Sequence, residues 1–197
     1  MGMDYGLLGF PNPNEMLLPS RKEGQRNWYR CPSMAYIIEH PAGRILFDTG
    51  ISTNFKTDWL ADWQGVVDLS EVSEDVLLES ALRNQGLAPD DFDYVIMSHL
   101  HADHAGGLRN FEDAGAEIIV HEDEHRAVSQ VWEAENFFVR DDWGFLARKK
   151  PTLMYGDQEI FKDLFTYKKN KIPNIVTDIT IINIVLSILN INSSVII

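Results

Sequence analysis

Residues 95–108 read VIMSHLHADHAGGL and set three of the chain's six histidines, with one aspartate, inside six positions. An apolar run at 94–97 leads into the cluster, and the pair Gly106 and Gly107 follows it. Where cysteine is absent, neutral imidazole and carboxylate are the donors that Zn2+ accepts. Alternate side chains of an extended strand share a face, so His99 and His101 are expected to converge on one metal. The chain must then turn, and Asp103 and His104 address a second point close by. Gly106 and Gly107 let the backbone fold tightly behind these residues before the next helix. The competing reading is a chance cluster on a surface turn, and the spacing and its flanks argue against it.

Working outward, residues 1–30 are punctuated by Pro, Asn and Gly and read as an irregular lead-in with one short strand. The runs SMAYIIEH (33–40) and RILFDTG (44–50) flank PAG and predict a β-hairpin with Pro41 and Gly43 in its turn. Residues 51–72 read as a loop with a short helical piece. The stretch SEDVLLESALRNQG (73–86) predicts a helix capped by Ser73, with Val76, Leu77, Leu78, Ala81 and Leu82 on its apolar face and Gly86 at its end. A strand over 94–99, a helix starting in HAGGLRNF (104–111), a strand over 116–122 and a helix over 122–135 complete the order. Hairpin, helix, strand, helix, strand, helix is a layered α/β arrangement with helices packed on a sheet.

With 197 residues the chain is long enough for one domain with a substantial core, or two small ones. Its net charge of −13 argues against a nucleic-acid or anionic-membrane binder, because affinity for phosphate comes from clustered Lys and Arg. The single cysteine, Cys31, excludes an internal disulfide and a multi-cysteine metal cluster, and reads as a small buried residue. The N-terminus has no basic segment followed by a long apolar core, so no signal peptide is expected and a reducing, cytoplasmic setting is the default.

Composition changes near residue 165. Ten isoleucines fall between Ile172 and Ile197, among repeated Asn, Ser and Thr, and all five tryptophans lie at or before Trp143. Three readings of 165–197 arise: a membrane anchor, native strands that complete a sheet, or an unselected sequence of the kind AT-rich DNA gives in a wrong frame. Asp178, Asn183 and Asn190 interrupt the first, β-branched density speaks for the second, and the Ile/Asn/Lys/Ser vocabulary favours the third. The domain expectation is accordingly 1–164 as one incomplete domain and 165–197 as an atypical tail.

His99-x-His101-x-Asp103-His104, followed by Ala105-Gly106-Gly107, resembles the signature of the metallo-β-lactamase superfamily, and ILFDTG (45–50) resembles the strand-end Asp-Thr-Gly that precedes it there. SHLHADHAGG, LAPDDFDYVIMSH and IIVHEDEHRA together look most like the N-acyl homoserine lactonase, or quorum-quenching, branch. The resemblance covers roughly residues 30–163 and implies the N-terminal half of an αββα sandwich. It assigns His99 and His101 to a first zinc, Asp103 and His104 to a second, and sets Asp48 beside the cluster, orienting a ligand by hydrogen bond. His121 and His125 fit no ligand position and read as packing or solvated histidines; His40 is given no role.

The activity implied is hydrolysis of a lactone or related ester by a metal-bound hydroxide, with Asp103 passing a proton to the leaving alkoxide. The partner expected is a small-molecule lactone or ester, with no nucleic acid and no membrane. The superfamily pattern also asks for a further His, a bridging carboxylate and a last His. YGDQEIFKDL (155–164) arrives as expected, but no histidine follows His125, and Asp178 is the one acidic residue after Asp163. A catalytically silent, truncated fragment is therefore the alternative, beside a thioesterase or lactamase of the same superfamily. A lone half-sandwich is expected to expose an apolar inner face, a surface for homo-oligomerisation.

Overall fold

The computed structural model describes residues 2–11, 28–40, 42–59, 72–130, 137–156, 158–161 and 165–167. Its frame is a six-stranded sheet in chain order: β1 (Gly2–Pro11), β2 (Trp28–His40), β3 (Gly43–Phe47), β4 (Tyr94–Ile96), β5 (Glu117–His121) and β6 (Thr152–Met154). The first three strands are antiparallel neighbours, and β3 through β6 run parallel. Parallel neighbours need crossover connections, and these supply the helices. They are α1 (Phe55–Asp58), α2 (Leu78–Asn84), α3 (Ala102–Ala105), α4 (Glu122–Gln130) and α5 (Arg140–Trp143). Mixed α/β layering is thus as the sequence predicts.

The β2–β3 hairpin pairs Tyr36 with Phe47 and His40 with Gly43. Gly43 has φ +139, and a Cβ there would meet the Asp93 carboxylate at 2.5 Å. Asp93 Oδ2 accepts the Arg44 N–H at 2.8 Å, so this glycine leaves room for a carboxylate that ties the hairpin to the start of β4. Pro41 lies outside the described residues.

Strand periodicity divides the core in two. Leu46, Val95, Ile118 and Val120 face one way and pack with Leu78, Leu82, Leu108, Phe111, Val128 and Phe145. Their strand neighbours Ile45, Phe47, Ile96 and Ile119 face the other way and pack with Met154. Both faces are buried, which is why these parallel strands read as continuous apolar runs. Among the described residues the apolar inner face expected of a half-sandwich is not exposed: Ile45 is 0 % and Ile119 4 % exposed.

The single helix expected over 73–86 is broken. A 3-10 turn over Glu74–Val76 ends at Leu77, whose extended backbone (ψ 153) restarts the chain as α2. Ser73 makes no side-chain cap to the backbone, and Leu77 occupies the cap position of α2. The break lets adjacent leucines enter different clusters: Leu77 joins Ile51, Phe55 and Trp59, while Leu78 joins the sheet core. Tertiary burial outweighs helical continuity here. Gly86, at φ +70, ends the helix as predicted.

Phe165–Tyr167 (β8) pairs antiparallel with Gln158–Phe161 (β7) as a separate two-stranded unit. The first three residues of the segment set apart by composition thus belong to a hairpin with residues before it. Residues 168–197, on which the three readings of the tail turn, lie outside the described residues. No helix among the described residues is long and apolar enough to cross a membrane.

One buried group stands out energetically. Asp142 on α5 is fully buried, and among the described residues neither carboxylate oxygen has a hydrogen-bond partner. Burial pushes its pKa up to about 8, with Arg109 opposing and Asp58 and Asp141 reinforcing the rise. A carboxyl whose folded pKa lies above its unfolded value stabilises the fold at low pH and loses that contribution as pH rises from about 4 to about 8. Stability of the wild-type chain should fall across this window, by up to about 1.4 kcal/mol per pH unit from this group. Asp142→Asn should flatten the dependence in urea titrations run from pH 5 to 8; an unchanged slope would contradict the assignment.

Candidate metal centre

The Asp-Thr-Gly turn after β3 and the histidine loop after β4 are built against each other. Asp48 N–H donates to Ile96 O at 2.9 Å, and Thr49 donates to His104 O through both its N–H (2.8 Å) and its hydroxyl (2.7 Å). Gly106 N–H donates to Gly50 O at 2.8 Å. This approach leaves no space for side chains: a Cβ on Gly106 would lie 2.0 Å from Ser52 N, and one on Gly107 2.5 Å from Thr49 O. Neither glycine of the pair has positive φ, since Gly106 sits at −59 and Gly107 at −89. Close backbone contact, and not turn geometry, is what demands them.

Asp48 organises the donors. Its carboxylate accepts from Ser98 N–H (Oδ1, 2.7 Å), from the Ser98 hydroxyl (Oδ2, 2.7 Å) and from His104 Nδ1 (Oδ2, 2.8 Å). Because the Ser98 hydroxyl spends its one proton on Asp48, it accepts from His99 Nδ1, 2.9 Å away. Asp48 thus fixes the ring tautomer of His104 directly and of His99 through Ser98, leaving the second nitrogen of each ring for a metal. Asp48 itself sits at φ +56, a left-handed conformation that short polar residues tolerate better than most. On the other flank, buried Ser33 of β2 donates its hydroxyl to Asp103 O.

The donors converge as a group of three. One ligand atom from each of His99, Asp103 and His104 lies within 4.8 Å of the others. The His99 and His104 rings are 4.0 Å apart, and His104 Nε2 is 3.4 Å from Asp103 Oδ2. His101 stands beside the trio, edge-on to His99 at 4.7 Å and against Phe138 at 4.9 Å, and is not one of the three. The sequence pairing of His99 with His101 and Asp103 with His104 is thus drawn into one cluster with His101 at its side. His121 is buried, with Nδ1 accepting Asp123 N–H at 3.1 Å, the packing histidine expected.

Electrostatics suit a cation. Burial, with the neighbouring His104 and His101, holds His99 well below the ordinary histidine range. Burial lowers His101 too, Asp103 opposing and His104 adding to the fall. For His104 burial pulls down, but the Asp48 hydrogen bond and the charges of Asp48 and Asp103 prevail and push it up to about 9. His99 and His101, both held neutral, and the Asp103 carboxylate beside them are donors that a borderline divalent ion such as zinc accepts, and His104 would join them on giving up a ring proton to the incoming cation.

Ser98 escaped the sequence reading because a serine before histidine carries no spacing signal of its own. Asp48→Asn keeps the size and the left-handed tolerance but replaces one acceptor oxygen with a donor. We expect it to lower zinc affinity about 10- to 100-fold with the fold retained, and Ser98→Ala to lower it in the same direction, both read by chelator competition. Gly106→Ala should cost about 1–3 kcal/mol or more in thermal unfolding, because backbone must move to admit the methyl. Unaltered affinity or an unaltered melting temperature would contradict these expectations.

Comparison with known proteins bears on this geometry. Residues 28–182 match the sequence model described as "Metallo-beta-lactamase superfamily". Relatives include N-acyl homoserine lactonase AttM of Agrobacterium fabrum, 29 % identical over 143 residues, covering 70 % of this chain and 52 % of the relative. N-acyl homoserine lactonase AiiB of the same species is 32 % identical over 142 residues, covering 68 % and 50 %. The chain spans about half the length of these curated relatives. A solved N-acyl homoserine lactone hydrolase, with the product N-hexanoyl-L-homoserine bound at its catalytic metal center, shares the fold at a TM-score of 0.67 and 24 % identity. That likeness covers 85 % of this chain and 63 % of the other. The match spans most of the chain and takes in the turn after β3 and the loop after β4, and so the chain belongs to the metallo-beta-lactamase superfamily.

Proposed function

We propose that this chain carries the metal-binding half of a zinc-dependent hydrolase that opens lactone rings, with N-acyl homoserine lactones as the substrate class. The observation that carries the reading is the trio His99, Asp103 and His104, with two ring tautomers set by the Asp48–Ser98 network. The lactonase relatives supply the substrate class.

His99, Asp103 and His104 would hold the ion, and His101, its ring 4.7 Å from that of His99, would be a further donor beside them. A bound divalent cation supplies Lewis acidity, which polarises the scissile carbonyl and lowers the pKa of an attacking water. Asp48 keeps the His104 imidazole oriented throughout, and Ser98 does the same for His99. The Asp103 carboxylate, its side chain 24 % exposed, would take the proton released by the attacking water and pass it to the departing alkoxide. The product of this chemistry is an opened hydroxy acid.

A second reading is a metal-binding domain without turnover. It is favoured by one observation: among the described residues the trio is the one group of donors close enough to share an ion. The test is zinc content together with hydrolysis of an N-acyl homoserine lactone, a thioester and a β-lactam. Zinc bound stoichiometrically with lactone opening above buffer, and little action on the other two, is the expected result. Zinc bound without turnover favours the second reading, and preference for the thioester or β-lactam overturns the substrate assignment.

A further inference from the structure

Beyond the ligands and Asp48, the loop from 97 to 101, between β4 and α3, is held by acceptors outside its own strand. Strand pairing of β4 stops at Ile96. Alternate N–H groups then find acceptors off the sheet: Ser98 donates to Asp48 Oδ1 (2.7 Å), Leu100 to Glu124 Oε2 (3.2 Å) and Ala102 to Phe137 O (2.8 Å). The acceptors come from three different segments: the turn after β3, the first turn of α4, and the residues before α5. The tethered positions are two apart and bracket His99 and His101, in a stretch that bends at Ser98 and His101 before α3 begins. The two rings lie 4.7 Å apart.

Glu124 holds the middle tether, the peptide N–H that lies between the two histidines. We infer that Glu124 is a positioning residue for the metal loop: its carboxylate fixes the Leu100 backbone and thereby sets where His99 and His101 present their rings. Its neighbours on α4 are engaged elsewhere, since Arg126 pairs with Glu122 and Asp123. Leu100 is fully buried, so without this acceptor its N–H would lose its partner where water cannot readily replace it. A carboxylate accepting a backbone N–H makes a stronger bond than a neutral acceptor, which suits a tether bearing on ligand geometry. Zinc binding is the part of the inference that rests on the proposed function; the tether itself does not.

The test uses the full chain with Glu124→Ala, Glu124→Gln and, as a neighbouring control, Glu122→Ala. Zinc affinity is read by chelator competition, and Leu100 by amide hydrogen exchange. Glu124→Ala should weaken zinc binding about 10-fold or more and speed Leu100 exchange. Glu124→Gln keeps an oxygen acceptor and should restore both, and Glu122→Ala should leave both at wild-type values. Wild-type affinity with a protected Leu100 in Glu124→Ala overturns the inference, as do equal losses in the Ala and Gln variants. If even the wild type binds no zinc, the proposed function fails instead, and the exchange measurement alone decides whether Glu124 holds the loop.

Discussion

The carboxylate of Asp48 is the constraint on which the site depends. It is buried at the end of β3, and its three hydrogen bonds join the N–H and hydroxyl of Ser98 to the ring of His104. A buried carboxylate is costly unless it is well partnered, and here every partner belongs to the histidine loop. The need to satisfy Asp48 and the need to orient two imidazoles are met by one set of bonds. The turn that carries Asp48 is itself held by Ile96 and by the carbonyl of His104, so turn and loop each position the other.

The sheet makes this arrangement rigid. β3 and β4 are parallel neighbours, so their carboxyl ends lie side by side, and the turn after one meets the loop after the other. Both faces of these strands are buried, which leaves the end of the sheet as the place where polar chemistry can be exposed. Thr49, Gly106 and Gly107 close the contact at backbone distance, and Phe138 brings a ring against His101 from the segment before α5.

Much of this was legible in the sequence, and the reasons are local. Three histidines and an aspartate at fixed spacing, after an apolar strand, announced a metal loop; β-branched runs around Pro-Ala-Gly announced the hairpin; Asp48 was marked by the strand-end Asp-Thr-Gly. What was not legible depends on contacts across long sequence separations. Ser98 gains its role from Asp48, fifty positions away, and Glu124 from Leu100, twenty-four away. The break at Leu77 follows from two neighbouring leucines being drawn into different clusters, which helical periodicity alone cannot anticipate. The burial of Ile45 and Ile119, where a half-sandwich is expected to show an apolar face, likewise depends on contacts that no local pattern carries.

Asp48 sets the ring tautomer of His104 directly and that of His99 through Ser98. Long-range 1H–15N NMR of the ring nitrogens in the zinc-loaded chain measures this directly. Both rings should carry their proton on Nδ1, with the Nε2 resonances showing metal coordination. A proton on Nε2 of either ring, with Nδ1 toward the ion, would contradict it.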